Sequence, residues 1–408
     1  MNPDHSRRRA VPSTTTIAAV ALLAPLALGG CVAKDSAATT LNVTSSDTAC
    51  DFDTAQAQTG TVGFKVTNSG SKVTEFYVYD GSRVLGEVEN IAPGVSGKLT
   101  VDLVKPGTYA VACKPGMVGT GIRKEITVTG EEKQKSEAPA DVEEAKKRYL
   151  ASVRTEIGNL ERATVEFVAA VKRGDLDAAR AQFAPTRSFY ERVEPVAESF
   201  SDLDPKIDMR WDDTADGQEA FTGFHRIERF LWPPRPEDIG DDDGKVTPAD
   251  AADAKKSDTP EAIATVADQL LADARALKTE VDKPDFSFDT NLFVQGPKAL
   301  IDEIAKTKVA GEEDRYSHTD LWDFAANVEG SQRLIGELQP IIQAHDAGLM
   351  TEITNQFDAI NAAIDELREG PGYVSYDKVD DATRKALSAK IDALSATLSK
   401  VPAAVLGR

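Results

Sequence analysis

The chain has 408 residues, 41% hydrophobic and 28% charged, enough apolar material for two or three domains with cores of their own. Its formal net charge of −20 argues against nucleic acid or a bare anionic lipid surface as partner. Like charges repel, and no counterions would be released on contact. Metal cations or a basic partner suit such a surface better.

Residues 1–30 read as a targeting segment. "HSRRRAV" supplies a basic start, and "IAAVALLAPLAL" (17–28) is an apolar run of signal-peptide length, too short to span a bilayer. "LGGC" follows directly and ends at Cys31. A small-residue run closing on cysteine at this place resembles the lipobox of bacterial lipoproteins. That resemblance implies a lipid-modified Cys31 as first mature residue and an anchor at the outer face of the membrane, each buried methylene contributing about 0.8 kcal/mol. Of the three cysteines, Cys50 and Cys113 then remain in an oxidising compartment, to form a disulfide or to share a metal.

From 39 to 129 the texture is β. "TLNVTS", "TVGFKVTN", "VTEFYVYD", "RVLGEVEN", "GKLTVDL", "GTYAVAC" and "RKEITVTG" are short runs rich in Val, Thr, Tyr and Phe, separated by Gly, Asn, Asp or Pro. Seven such runs predict a Greek-key β-sandwich. "GEEKQKSEAPAD" (130–141) has no apolar periodicity and reads as a linker.

From 142 to 408 the spacing is helical, so the expected architecture is a β-sandwich followed by an all-α bundle. The first helix, 142–172, carries Tyr149, Val153, Ile157, Leu160, Phe167 and Val171 at helical intervals and stops at Gly174. Further helices are expected at about 176–200, 217–232, 258–281, 296–308, 318–344, 347–369 and 379–400. The acidic stretch 235–258 reads as a solvated loop; its "DDDG" lacks the remaining spacing of a calcium loop.

The chemistry concentrates in "GFHRIERFLW" (223–232). On a helix, Phe221, Phe224, His225, Glu228, Leu231 and Trp232 form one stripe, while Thr222, Arg226 and Arg229 face the other way. His225 and Glu228 therefore face the core, where an unpaired carboxylate is costly. They could be a structural pair, a metal site or an acid/base pair. The zinc-protease pattern H-E-x-x-H is absent. A metal would need ligands from other helices, and Glu156 and Asp320 lie on inner edges of theirs. Glu156 could equally be a rim charge, and Ser317 with Asp320 has the spacing of a capping box. One histidine with several carboxylates is a hard donor set, better suited to iron than to copper or structural zinc.

These residues carry a family resemblance. "GFHRIERFLW", with 184–210 before it and "YSHTDLWDFAANVEG" (316–330) after it, resembles the imelysin-like helical domain and its HxxE motif. "ENIAPGVSGKLTVDL" and "PGTYAVAC" are similar to the cupredoxin-like domain of EfeO-type proteins, exported components of bacterial iron uptake. The resemblance covers nearly all of the mature chain, in the same domain order. It implies iron bound in the helical domain with His225 and Glu228 as motif ligands, and an iron permease and a haem-containing peroxidase as partners. The peptidase label attached to imelysin-like domains would place a metallopeptidase at the same site, with Glu228 as ligand or base. A non-metal adhesion or scaffold module, with His225 and Glu228 as a structural pair, is the remaining alternative.

In the sandwich, an ordinary blue-copper centre is excluded, because no histidine lies between 39 and 129. The family pattern instead matches Cys50, Glu75 and Cys113, which the resemblance implies as a second metal site with copper as its candidate ion, with Ala110 where an acidic residue is expected and Met117 as a soft substitute. A plain Cys50–Cys113 disulfide is the alternative.

Overall fold

Period-two burial organises the first domain. In β1 (Thr39–Ser45), Leu41, Val43 and Ser45 point inward and the residues between them outward. A computed structural model of the chain describes residues 39–407 except 82, 118–120, 133–138, 215–219, 241–243 and 307. The leader, Cys31, most of the linker and the "DDD" run lie outside the described residues.

The other strands are β2 (Cys50–Phe52), β3 (Gln56–Gln58), β4 (Gly60–Asn68), β5 (Thr74–Asp80), β6 (Arg83–Ile91), β7 (Ser96–Leu103), β8 (Gly107–Pro115) and β9 (Ile122–Thr129). All seven expected runs are strands. β2 and β3 were not foreseen; three residues are too few to show an alternation. The strands form a four-stranded sheet, β2-β1-β4-β7, and a five-stranded sheet, β3-β9-β8-β5-β6. β1 runs parallel to β4 and β3 parallel to β9, the other pairings being antiparallel. Between the sheets lie Leu41, Val62, Phe64, Phe76, Val78, Val111 and Ile126.

Cys50 and Cys113 form a disulfide that ties β2 of one sheet to β8 of the other, with Cα atoms 5.6 Å apart. Of the two alternatives read from the sequence, a shared metal or a disulfide, the structure holds the disulfide. Both thiols are consumed, so the copper expectation loses its two thiolates. The register removes Glu75 as well. Phe76 lies opposite Cys113 and Glu75 opposite Lys114. Directly paired residues share a face and neighbours alternate, so Cys113 faces the sandwich core while Glu75 faces away from it. Glu75 is buried nonetheless, because β5 is covered on both sides. Its outer face, with Tyr77 and Tyr79, packs against Leu292 of the helical domain.

The helices are α1 (Ala140–Lys172), α2 (Leu176–Glu191), α3 (Asp204–Asp208), α4 (Gly223–Leu231), α5 (Pro248–Ser257), α6 (Pro260–Val281), α7 (Thr290–Lys306), α8 (Asp320–His345), α9 (Ala347–Asp365), α10 (Asp381–Leu398) and α11 (Val401–Leu406). A short hairpin, β10 (Arg368–Glu369) with β11 (Gly372–Tyr373), interrupts the otherwise helical domain. Tyr149, Phe167, Phe183, Phe224, Phe293 and Phe324 anchor one continuous core. The helix expected over 176–200 ends at Glu191. Pro195 lacks an N–H, and the chain continues as 3-10 turns over Glu194–Leu203 before α3. No described helix is long and apolar enough to cross a membrane.

The stretch 235–258 is more than a solvated loop. Thr247 caps α5 by accepting from the Asp250 amide, with Pro248 in the first turn. α5 lies over the face of α4 expected to be wet. Arg229 is fully buried, donating from Nη1 to Asp250 (2.6 Å), from Nη2 to Asp253 (2.9 Å) and from Nε to Asp258 (2.7 Å). The acidic run supplies the counter-charges that let this guanidinium leave water.

Candidate metal centre

Two backbones must meet closely to build the site. Gly223 opens α4 at φ +75°, and a Cβ there would lie 2.3 Å from the Ile207 carbonyl oxygen. Only glycine permits this approach. It places the end of α3, with Asp208, against the start of α4, with His225.

His225 and Glu228 both face inward, with 1% and 0% of their surface exposed. Glu228 Oε2 lies 2.9 Å from His225 Nδ1. Its Oε1 accepts from the Tyr316 and Ser317 amides at 3.1 and 2.8 Å. Both carboxylate oxygens are thus engaged. The other ring nitrogen, Nε2, is buried without a hydrogen-bond partner. It faces Asp208 Oδ1 and Glu313 Oε1, each 3.5 Å away.

Around this point the interior is unusually charged. Arg187 of α2 is fully buried and pairs through Nη2 with Glu191 (2.7 Å), Glu313 (3.1 Å) and Asp323 (3.3 Å), and through Nη1 with Asp208. Lys308 donates to Glu194 at 2.8 Å and stands 3.5 and 3.6 Å from Glu191 and Glu313. Arg210 reaches Glu312 and Glu313. Even so, Asp314 Oδ1, Asp320 Oδ2 and Asp323 Oδ1 are buried without hydrogen bonds. Buried oxygens left this way are costly unless a cation satisfies them.

The titration behaviour fits that imbalance. Burial pushes Asp314 and Asp323 well above the carboxylate range, with Glu228 adding to the effect at Asp314 and Arg187 opposing it at both. Burial likewise raises Asp320 to about 7. At Glu313, burial is outweighed by Lys308, His225 and Arg210, and the carboxyl falls well below its usual value. For His225, burial and Arg187 favour the neutral ring, but the facing Asp208, Glu228 and Glu313 outweigh them and push it well above the usual histidine value.

Among the described residues, three sets of donor atoms converge closely enough to hold one ion: Asp208, His225 and Glu313; His225, Glu228 and Asp314; and Glu191, Glu313 and Asp323. Glu156 belongs to none of them. It lies on α1 and accepts from Arg333 at 2.8 Å, the rim-charge alternative. Asp320 opens α8 beside the centre, with Oδ1 accepting from the Asp314 amide at 3.3 Å, but it is in none of the three sets. The capping box does not form. Thr319 is the N-cap, and the Ser317 hydroxyl instead meets that of Thr319 at 2.9 Å. Sequence reasoning missed Asp208, Glu313, Asp314 and Arg187. Asp208 ends a five-residue helix, and Glu313 and Asp314 sit in turns before α8, where no periodicity marks a side chain as inward.

The imelysin family model matches residues 145–401, and a cupredoxin-like domain model matches residues 16–128. The iron uptake system component EfeO of Escherichia coli O1:K1 is 37% identical over 366 residues, covering 88% of this chain and 90% of that protein. The EfeO proteins of Escherichia coli K12 and Shigella flexneri are 36% identical with the same coverage. With a cupredoxin-like sandwich ahead of a helical domain whose HxxE histidine converges with Asp208 and Glu313, the chain belongs to the imelysin family and is a protein of the EfeO type.

Proposed function

We propose that this protein captures iron outside the cytoplasmic membrane and delivers it to a membrane permease, as one component of an iron-uptake system. The observation that carries the reading is the unpartnered Nε2 of His225, buried 3.5 Å from the carboxylates of both Asp208 and Glu313. Iron is the cargo. His225 Nε2, Asp208 and Glu313 bind it, and the hard, carboxylate-rich set favours iron over a soft metal. Glu228 acts as a positioning group: it holds Nδ1, so that Nε2 is presented to the ion, as carboxylates behind metal-bound histidines do. Asp314 and Asp320 border the centre and add negative charge. In this reading Cys31 carries the lipid anchor, and the permease and a haem-containing peroxidase are the partners. The naming of the relatives as components of an iron uptake system supports it.

The test is a calorimetric titration of the metal-stripped mature chain with ferrous iron, ferric iron as a weak chelate, and zinc, with His225→Ala alongside. Iron binding that His225→Ala loses supports the reading. Equal binding by both proteins, or none by the wild type, refutes it. Metal-dependent cleavage of a peptide library would move the assignment to a hydrolase.

A further inference from the structure

The centre is closed on most sides. α5 and its aspartates cover the far face of α4 through Arg229. The Tyr316 and Ser317 backbone seals Glu228. Arg187 and Lys308 fill the space toward Glu191 and Glu194. One side differs. A cavity of about 930 Å³ lies between the outer face of the five-stranded sheet and the helical domain, and Asp208 and Glu313 stand in its wall. Side-chain exposure falls inward along these groups, from 11% at Asp208 to 3% at Glu313 and 1% at His225. Lys98, Arg123 and Lys206, all exposed, mark where the wall meets solvent.

Both domains build this cavity. The sandwich contributes Glu75, Glu87 and Glu89, and the helical domain Glu198, Asp204 and Glu303. Among the described residues its lining carries thirteen carboxyl groups against six lysines and arginines. Burial holds Glu75, Glu87, Glu198, Asp204 and Glu303 above the usual carboxylate range, so the cleft attracts cations through the lining carboxylates that stay ionised and offers the others as oxygen donors that lose their proton as a cation arrives.

We infer that the cleft between the two domains is the path by which the cation reaches His225, and that the sandwich serves as one wall of that path. This rests on the iron-binding reading above. A hydrated divalent or trivalent cation is drawn in by the acidic lining and meets Asp208 first. It then exchanges water for Glu313 and His225 Nε2. The inference also gives a use to the buried outer face of β5, which the disulfide leaves without a role in metal binding.

Gln295 is exposed and lines the cavity; Val95 is 52% exposed on the sandwich and lies outside the lining. With Cys50 and Cys113 bonded to each other, a mature chain carrying Cys31→Ser has no other thiol. Gln295→Cys and Val95→Cys are made in that chain and labelled with a bulky maleimide. Anaerobic ferrous iron is then mixed in by stopped flow, with intrinsic fluorescence as readout and an equilibrium titration in parallel. The label at Gln295→Cys should slow loading at least tenfold relative to the unlabelled variant and to labelled Val95→Cys, with equilibrium affinity changed less than threefold. Unchanged loading in the labelled Gln295→Cys protein would overturn the path while leaving the iron site intact. Absence of iron binding in the unmodified chain would show in the titration alone and would overturn the site itself.

Discussion

Replacing Glu228 with glutamine changes one atom and should change which nitrogen of His225 carries a proton. Glu228 Oε1 accepts from two backbone amides, so the amide oxygen of a glutamine must take that place. Its NH2 group is then left facing His225 Nδ1, which must become an acceptor. The ring proton moves to Nε2, between Asp208 and Glu313, and the lone pair meant for the ion is lost. Loss of such an outer partner typically costs 10- to 100-fold in metal affinity, and a forced tautomer points to the upper end. That is about 2.7 kcal/mol. Isothermal titration of the full mature chain with ferrous iron measures it, and ¹⁵N NMR of the imidazole, recorded at a pH high enough for the His225 ring to be neutral, reports the tautomer. Wild-type affinity in Glu228→Gln, or an imidazole still protonated only at Nδ1, would refute the positioning argument. Loss of affinity with an unchanged tautomer would make Glu228 a direct ligand instead.

The remaining predictions concern the ligand set, the domain interface and the cover over α4. Asp208→Asn and Glu313→Gln should each weaken iron binding more than about tenfold, as loss of a ligand must cost at least what loss of an outer partner does. Glu156→Gln should leave iron affinity unchanged and cost about 1 kcal/mol or less, the worth of a partly exposed pair with Arg333; an iron-binding defect there would return it to the ligand set. Burial raises the Glu75 carboxyl from 4.5 to about 7, with Lys114 and the Tyr77 hydroxyl opposing. A raised carboxyl contributes stability below its unfolded value and loses it as pH rises through the folded one. Glu75→Gln should therefore melt higher than wild type at about pH 8, by at most about 3 kcal/mol, with the gap closing toward about pH 5; a gap independent of pH would refute this. Arg229→Met leaves Asp250 buried without its cation and should cost about 3–5 kcal/mol in urea unfolding. A loss below about 1 kcal/mol would show that α5 is not held by this network.

Much of the architecture follows from local spacing. Alternation over about eight residues marks "TVGFKVTN" as a half-buried strand, and helical intervals mark 142–172 as a helix, because each element buries one face of its own regular geometry. The same geometry put His225 and Glu228 on the inner side of α4, where they are. It misled for Arg229, since spacing tells which face a residue occupies but not what covers that face. An acidic stretch later in the chain folds into α5 and turns a wet face into a buried one.

The partners of His225 show the division most plainly. That a histidine and a glutamate face inward together was in the sequence, and so was the choice between a disulfide and a metal for Cys50 and Cys113. Which carboxylates reach Nε2, that Arg187 stands among them, and that Glu75 looks across to the helical domain rather than toward Cys113 were decided only by packing. Asp208 and Glu313 come from a short helix and a turn far apart in the chain, brought together by the glycine contact between α3 and α4 and by the backbone that caps Glu228. Local periodicity sets orientation within an element; only long-range contacts, which leave no periodic trace, choose what each side chain meets.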